Sequence, residues 1–278
     1  MSLLLNDWLM QVVPSFPDPD SAQYEARLLA QHITQQTPVQ QRLHPYTLSK
    51  AQQQQLNHLA QRRAQGEPIA YLLGWQPFYN LKLRVSPATL IPRGDTEFVV
   101  DILLEHLRPY SAPHILDLGT GSGAIALALA NQRPDATIIA SDNSPEALTI
   151  AQANAQHHHL HNVHFIASHW LDGFANQQSD LIVSNPPYIA ADDAHLADLQ
   201  HEPQSALVAA DNGLSELTHL IFHAARVLKP KGHLFLEHGY NQTTAIRQLA
   251  QQSQHWHYRQ THIDYGNQPR LTHLQRIT

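Results

Sequence analysis

The segment Asn185-Pro186-Pro187-Tyr188 carries the most specific chemistry in the chain. Two consecutive prolines lock the backbone and remove two N–H donors, so the carbonyls around them stand out as fixed acceptors. The Asn185 side-chain oxygen is a second acceptor beside them, and Tyr188 is placed to stack on a planar substrate. Two acceptors aimed at one planar NH2 group hold it and draw electron density toward its nitrogen. This suits methyl transfer to an amide or an aromatic amine, where the nitrogen lone pair is delocalised and alignment supplies most of the catalysis. Such a reaction needs no metal and no covalent intermediate.

A second constellation precedes it. Leu116-Asp117-Leu118-Gly119-Thr120-Gly121-Ser122-Gly123 follows an apolar strand and opens an Ala/Leu helix. Glycines at alternate positions let the backbone pass close to a ligand, and the helix start offers free N–H groups, so a nucleotide-like cofactor is expected there. Ala124 completes a G-x-G-x-x-A pattern, which leaves a dinucleotide dehydrogenase open at this point. Asp142 ends the next strand, 19 residues after Gly123, where a carboxylate can accept both ribose hydroxyls. Nicotinamide dinucleotides and S-adenosylmethionine both present such a ribose. Asn185-Pro186-Pro187-Tyr188 decides between them, because hydride transfer has no use for it.

These residues need strand ends to hold them, and the pattern after Pro113 supplies strands and helices in alternation. Strands are predicted at His114–Leu118, Thr137–Ser141, Val163–Ala167, Asp180–Ser184 and His233–Glu237. Helices are predicted at Ala124–Asn131, Pro145–Gln156, Leu214–Leu228 and Thr243–Gln252, and a final strand pair around His255–Gln260 and Arg270–Ile277. Alternation of this kind gives an α/β fold, a mostly parallel sheet with helices on both faces.

The first 75 residues are rich in Gln, Leu and Ala at helical spacing. Leu3, Leu4, Leu5, Trp8 and Leu9 mark one helix, Ala26 to Ile33 another, and a third runs from about Thr47 to Ala64. Prolines 14, 17, 19, 38 and 45 break them apart. Residues 76–94 read as a β-hairpin linker, with Leu81, Leu83 and Val85 alternating with Lys82 and Arg84. From Asp95 an amphipathic helix follows, with Asp95 placed to cap it. The domain reading is therefore 1–75 helical, 76–94 linker and 95–278 cofactor-binding.

Composition narrows the partners. The chain has 278 residues, 42% of them hydrophobic and 14% charged, enough for a sizeable core. A formal net charge of -6 repels nucleic acid, and the absence of Cys removes disulfides and thiolate chemistry. The longest apolar run, Ala124–Ala130, is too short to span a bilayer, and no basic start precedes an apolar core at the N-terminus. A cytoplasmic location without membrane association is expected.

With the glycine loop, Asp142 and Asn185-Pro186-Pro187-Tyr188, the chain resembles the class I S-adenosylmethionine-dependent methyltransferases acting on planar nitrogen. Pro68-Ile69-Ala70-Tyr71-Leu72, Leu90-Ile91-Pro92-Arg93-Gly94-Asp95-Thr96-Glu97 and Leu236-Glu237-His238-Gly239 resemble the protein-(glutamine-N5) methyltransferases of peptide chain release factors. The resemblance implies a Rossmann-like class I sheet preceded by a small helical substrate-recognition domain. It implies that Gly119, Thr120, Gly121, Ser122 and Gly123 wrap the amino-acid end of S-adenosylmethionine and that Asp142 holds its ribose. Trp170 would lie near the adenine, and Asn185 would touch both cofactor and substrate glutamine. Pro186, Pro187 and Tyr188 would complete the substrate pocket, with Asn185, Pro186 and Tyr188 as the catalytic set. S-adenosylhomocysteine is then the product, a release factor with its Gly-Gly-Gln loop the partner, and no metal takes part. The chain departs from the family's usual pattern at Gly94 (usually Pro), at His169 (usually an acid) and in a shorter loop from Ala190 to Pro203.

Among 21 histidines, His157 and His161 stand four apart on a helix, but no carboxylate or thiol accompanies them, and His also suits a helix C-terminus. Three rival functions share the motifs: glutamine methylation of a ribosomal protein, adenine-N6 methylation of DNA, and cofactor binding without turnover. Asp95-Thr96-Glu97 favours the release-factor branch, the net charge of -6 opposes DNA, and intact Asn185 and Tyr188 oppose a silent binder.

Overall fold

The computed structural model describes residues 3–278. The chain divides between Trp75 and Gln76 into two compact units.

In the first unit, β1 (Leu3–Leu4) leads into α1 (Leu5–Val12), then α2 (Pro19–Thr34), α3 (Pro38–Leu43), β2 (Thr47–Leu48), α4 (Lys50–Ala64) and α5 (Ile69–Leu73). Strands β1 and β2 pair antiparallel, so Leu3 and Leu4 are extended rather than helical. The helix expected from Thr47 begins at Lys50, because Ser49 and Gln52 form a capping box that fixes its start. Trp8, Leu29 and Leu56 are fully buried at its centre, and the Trp8 indole N–H donates to Asn57 Oδ1 at 2.8 Å.

A hairpin of β3 (Trp75–Phe78) and β4 (Leu81–Arg84), all but Trp75 in the second unit, is followed by α6 (Gly94–His106). The helix α6 starts one residue before Asp95, with Arg93 at the N-cap in an extended conformation and no side-chain cap. Asp95 therefore falls within the first turn and cannot cap it; its carboxylate lies 3.8 Å from Arg270 instead. Alternation then proceeds through β5 (His114–Leu118), α7 (Ala124–Gln132), β6 (Thr137–Asp142), α8 (Pro145–His157), β7 (Val163–Ala167) and β8 (Ser179–Ser184). A short turn α9 (Ala210–Gly213), α10 (Ser215–His223), β9 (Leu228–Glu237), α11 (Thr243–Ser253), β10 (Trp256–Ile263) and β11 (Pro269–Arg276) complete it. The helix expected to reach Leu228 ends at His223 and passes through a 3-10 turn, Ala224–Arg226, since β9 already begins at Leu228.

The sheet order is β10-β11-β9-β8-β5-β6-β7, with β9-β8, β8-β5, β5-β6 and β6-β7 parallel and β11 antiparallel to both its neighbours. One core gathers α6, α7 and the hairpin around Leu83, Leu103 and Ile115. The other gathers α10 and α11 around Leu116, Leu220 and Ile246. The chain order reverses at β5, whose neighbours β6 and β8 lead outward in opposite directions. Ligands of open α/β sheets bind at the carboxyl ends of strands beside such a switch.

Candidate active site

The carboxyl ends of β5, β6 and β8 meet at a cavity of about 380 Å³. After β5 the chain turns through Gly119, Gly121 and Gly123, at φ 72°, 57° and 86°. A Cβ on Gly123 would lie 2.9 Å from the Leu127 side chain, so this glycine serves the close packing of α7 and does not line the cavity. Gly119, Thr120, Gly121 and Ser122 do line it.

The loop is braced from below. Asp117 is buried at the end of β5, where its Oδ2 accepts from the Thr120 hydroxyl at 2.6 Å and the Ala126 N–H at 3.2 Å. Burial pushes the Asp117 carboxyl up to about 6, although both hydrogen bonds favour its ionised form. Asn154 on α8, fully buried, donates to Ser122 O at 2.9 Å and to Arg84 O at 3.1 Å and accepts from Arg84 N at 2.7 Å. It ties the glycine loop to the hairpin.

Asp142, at the end of β6, accepts one backbone N–H on each oxygen, from Gly121 and from Ser144, both at 2.9 Å. A carboxylate offers about four lone-pair directions. Two therefore remain for a vicinal diol at the cavity wall. Trp170 adopts φ 46°, its ring within 3.5 Å of where a Gly119 Cβ would stand, and its N–H donates to Glu216 Oε2 at 2.5 Å. It forms a flat wall beside Asp142 and Glu146. A glycine cradle, a diol-binding carboxylate and an aromatic wall fit a nucleoside of the size of S-adenosylmethionine.

Asn185 follows β8 and also lines the cavity, as does Pro187; Pro186 is buried, and Tyr188 packs against the α10/α11 core outside the lining. The Asn185 amide has a defined direction. Thr96 on α6 gives its only hydroxyl proton to Glu237 Oε2 at 3.0 Å, so its oxygen can only accept, and Asn185 Nδ2 approaches it at 3.5 Å. Asn185 thus turns its NH2 toward Thr96 and its oxygen away from them. Glu237, buried at the end of β9, is pushed up to about 7, first by burial and also by Asp95, while Thr96, Arg270 and Asn185 favour its charge. Burial and the Glu237 carboxyl push the Tyr188 phenol up to about 12, with Arg270 opposing. The Tyr188 carbonyl accepts from Gln242 Nε2 at 3.0 Å, and a Cβ on Gly213 would come within 2.1 Å of that carbonyl. Only glycine fits against the Tyr188 carbonyl.

The linker closes one rim. Ile91 N–H donates to Glu202 Oε2 at 3.0 Å, and Arg93 pairs with the other Glu202 oxygen. Thr96, Asn154, Glu202, Gly213 and Glu237 all support the site, and sequence reasoning assigned none of them a role. His157 and His161 gather no ligand set: among the described residues the one group of three potential metal ligands is His106, His233 and His273.

Comparison with known proteins agrees with this geometry. Residues 110–275 match the model of a methyltransferase domain and residues 7–74 that of the PrmC N-terminal domain. A release factor glutamine methyltransferase of Salmonella typhimurium is 47% identical over 268 residues, 95% of this chain and 96% of the relative. One of Escherichia coli K12 is 45% identical with the same coverage. Among solved structures, a methyltransferase from Pyrococcus furiosus superposes with a TM-score of 0.54 at 16% identity, over 72% of this chain and 91% of that one.

Proposed function

The chain belongs to the release factor glutamine methyltransferase family, and from that premise we propose that it methylates N5 of a release-factor glutamine at the Asn185 rim of the cavity. The observation that carries the reading is the Asn185 amide, oriented by Thr96 and Glu237 at the mouth of a nucleoside-sized cavity. S-adenosylmethionine, when bound, supplies an electrophilic methyl group on sulfonium and leaves as S-adenosylhomocysteine.

The chain's own residues hold and align. Gly119 to Ser122 receive the amino-acid end, Asp142 the ribose, and Trp170 the adenine face. Asn185 Oδ1 and the Pro186 carbonyl accept the two amide hydrogens of the substrate glutamine, which fixes the NH2 plane and raises the electron density on nitrogen. As the N–C bond forms, the excess proton leaves to water. No residue need act as a strong base, since the methylated amide nitrogen is acidic until that proton departs. Pro187 and Tyr188 keep the acceptors rigid, and no metal enters the reaction.

Selecting one glutamine among many requires a second contact surface. We assign it to residues 1–75, which carry no catalytic constellation, and the recognised loop is Gly-Gly-Gln.

The test incubates the purified chain with methyl-labelled S-adenosylmethionine and, separately, a release factor, ribosomal protein and DNA. Label on the Gly-Gly-Gln glutamine, located by peptide mass spectrometry, is the expected result. Label on ribosomal protein or DNA alone would overturn the reading.

A further inference from the structure

Far from the cavity, three histidines from three elements converge. His106 ends α6, His233 lies on β9 and His273 on β11, and one ring nitrogen of each lies within 4.8 Å of the others. His233 and His273 are buried, at 7% and 9% exposure, and His106 is half-buried. We propose that these three imidazoles form a binding site for a borderline divalent transition-metal ion of the Zn2+ class.

Four observations support it. The His106 Nε2 atom is buried and has no hydrogen-bond partner, a cost that an ion bound at its lone pair in the Nδ1–H tautomer would remove. His233 Nδ1 and His273 Nε2 already face each other at 2.8 Å, so opening by about half an ångström reaches the roughly 3.3 Å that two nitrogens take on one tetrahedral ion. Aromatic walls fix the rings: Phe235 stacks on His273 at 4.2 Å and meets His106 edge-on at 5.1 Å. The donor set is three neutral nitrogens with no carboxylate and no thiolate, which selects Zn2+, Co2+ or Ni2+ over Mg2+ or Ca2+.

Burial holds all three imidazoles below the usual histidine range, so they offer lone pairs at neutral pH. Without an ion, one N–H lies between His233 and His273. On binding it moves to the other nitrogen of the same ring, both lone pairs turn to the ion, and no proton is lost. If His233 is the donor, its Nε2 takes the proton and gives up the 3.4 Å contact with Gln275 Nε2, whose amide stays fixed by Arg259 and the Lys231 carbonyl. The fourth position goes to water, admitted along the half-exposed His106. The Arg259 guanidinium, bound to Gln275, opposes the ion's charge and keeps the affinity moderate.

The site is separate from the chemistry. Thr96 and His106 stand ten residues apart on α6, about 15 Å along a helix. Glu237 and His233 are four apart on β9, about 13 Å along a strand.

The experiment titrates Co2+ into the chelator-treated full-length chain and follows the visible bands of tetrahedral cobalt. One saturable equivalent, displaced by Zn2+, is expected. H106Q should weaken binding by more than the roughly 10–100-fold that losing an outer partner costs. The double variant H157Q/H161Q, which removes the surface histidine run, should bind as the parent does. Far-UV circular dichroism checks that H106Q is folded. If it is not, the thermal midpoint of the parent chain decides, rising by about 5–10 °C at a hundredfold excess of Zn2+ over Kd and not in Mg2+. No saturable binding, affinity unchanged in H106Q, loss of binding in H157Q/H161Q, or equal midpoints in Zn2+ and Mg2+ would each overturn the proposal.

Discussion

Helix α6 and strand β9 are joined by polar side chains at both ends, and the two ends behave oppositely. At one, Thr96 donates to Glu237 and burial pushes that carboxyl up to about 7. At the other, His106 packs on His233 and His273, and burial pushes His233 down to about 4 and His273 to about 3. The cause is shared, because desolvation disfavours the charged form of either sign. The result is not. A carboxyl brought to its titration point near neutrality is an acceptor whose strength changes with pH, whereas imidazoles held neutral offer a constant lone pair. Only the carboxyl end reaches the cavity, through Asn185.

The comparison breaks most visibly at Asn185. Asn185→Ala removes the oriented acceptor while leaving Asp142 and the glycine loop in place, so kcat should fall by about 100-fold or more. Cofactor affinity, measured separately by calorimetry, should change only a few-fold. Turnover within a few-fold of the parent would show that the Thr96–Glu237 pair orients nothing used in catalysis.

A third carboxylate sharpens the contrast. Asp142 is only partly buried and spends half its lone pairs on Gly121 and Ser144. Asp142→Ala should raise the cofactor dissociation constant by the worth of a charge-assisted bond, about 1.5–3 kcal/mol, or about 10–150-fold. Unchanged calorimetric affinity would remove Asp142 from the ribose.

What the sequence made legible follows the distance over which each feature acts. The glycine loop, Asp142 and Asn185-Pro186-Pro187-Tyr188 are local patterns tied to strand ends, and all three meet at the switch around β5. Thr96 and Glu237 are 141 residues apart, and Asn154 reaches Ser122 across 32. No spacing announces such pairs, because they exist only once the sheet is assembled. The histidines make the same point. The run His157–His161 attracts attention by adjacency, yet the converging set is drawn from three elements between His106 and His273. Asp95 misled for a smaller reason: Gly94 can enter the helix at its first position, which moves the cap back to Arg93.

Glu237→Gln tests the carboxyl end with less force, since glutamine still accepts from Thr96 and only the charge is lost. Exchanging a charged for a neutral acceptor costs about 1 kcal/mol, or about fivefold in kcat at the plateau. The ascending limb near pH 7, where the ionised carboxylate forms against Thr96, Asn185, Arg270 and the opposing Asp95, should flatten. Stability should move the other way. The Glu237 carboxyl titrates at about 7 when folded against 4.5 for the ordinary group, so the folded state binds more protons in between. Its contribution is fully present below the lower value and is lost as pH rises to the higher one. Relative to the variant, the parent should lose up to about 3 kcal/mol across that window. Parallel stability curves in urea from pH 4.5 to 8 would mean that Glu237 is not perturbed.

The smallest effect links the two ends. A divalent ion on His106, His233 and His273 would stand about 13 Å from Glu237 along β9, estimated from strand rise. At an effective dielectric of about 20, two charges at that distance favour the carboxylate by about 2.6 kcal/mol. Bulk screening over a Debye length of about 8 Å would cut this to about 0.5 kcal/mol, but Glu237, His233 and His273 are buried and buried charges are screened far less, so about 0.5 and about 2.6 kcal/mol bound the effect. These correspond to about 0.4 and about 1.9 pKa units downward. Saturating Zn2+ should therefore move the ascending limb of the kcat profile to lower pH by about 0.4–1.9 units while the plateau stays level, because no reacting group touches the ion. The limb in H106Q should stay where it is with or without Zn2+. A shift larger than about two units, or a lowered plateau in the parent alone, would mean that the ion displaces α6 against β9. The two ends would then be coupled mechanically, through Thr96, rather than by charge.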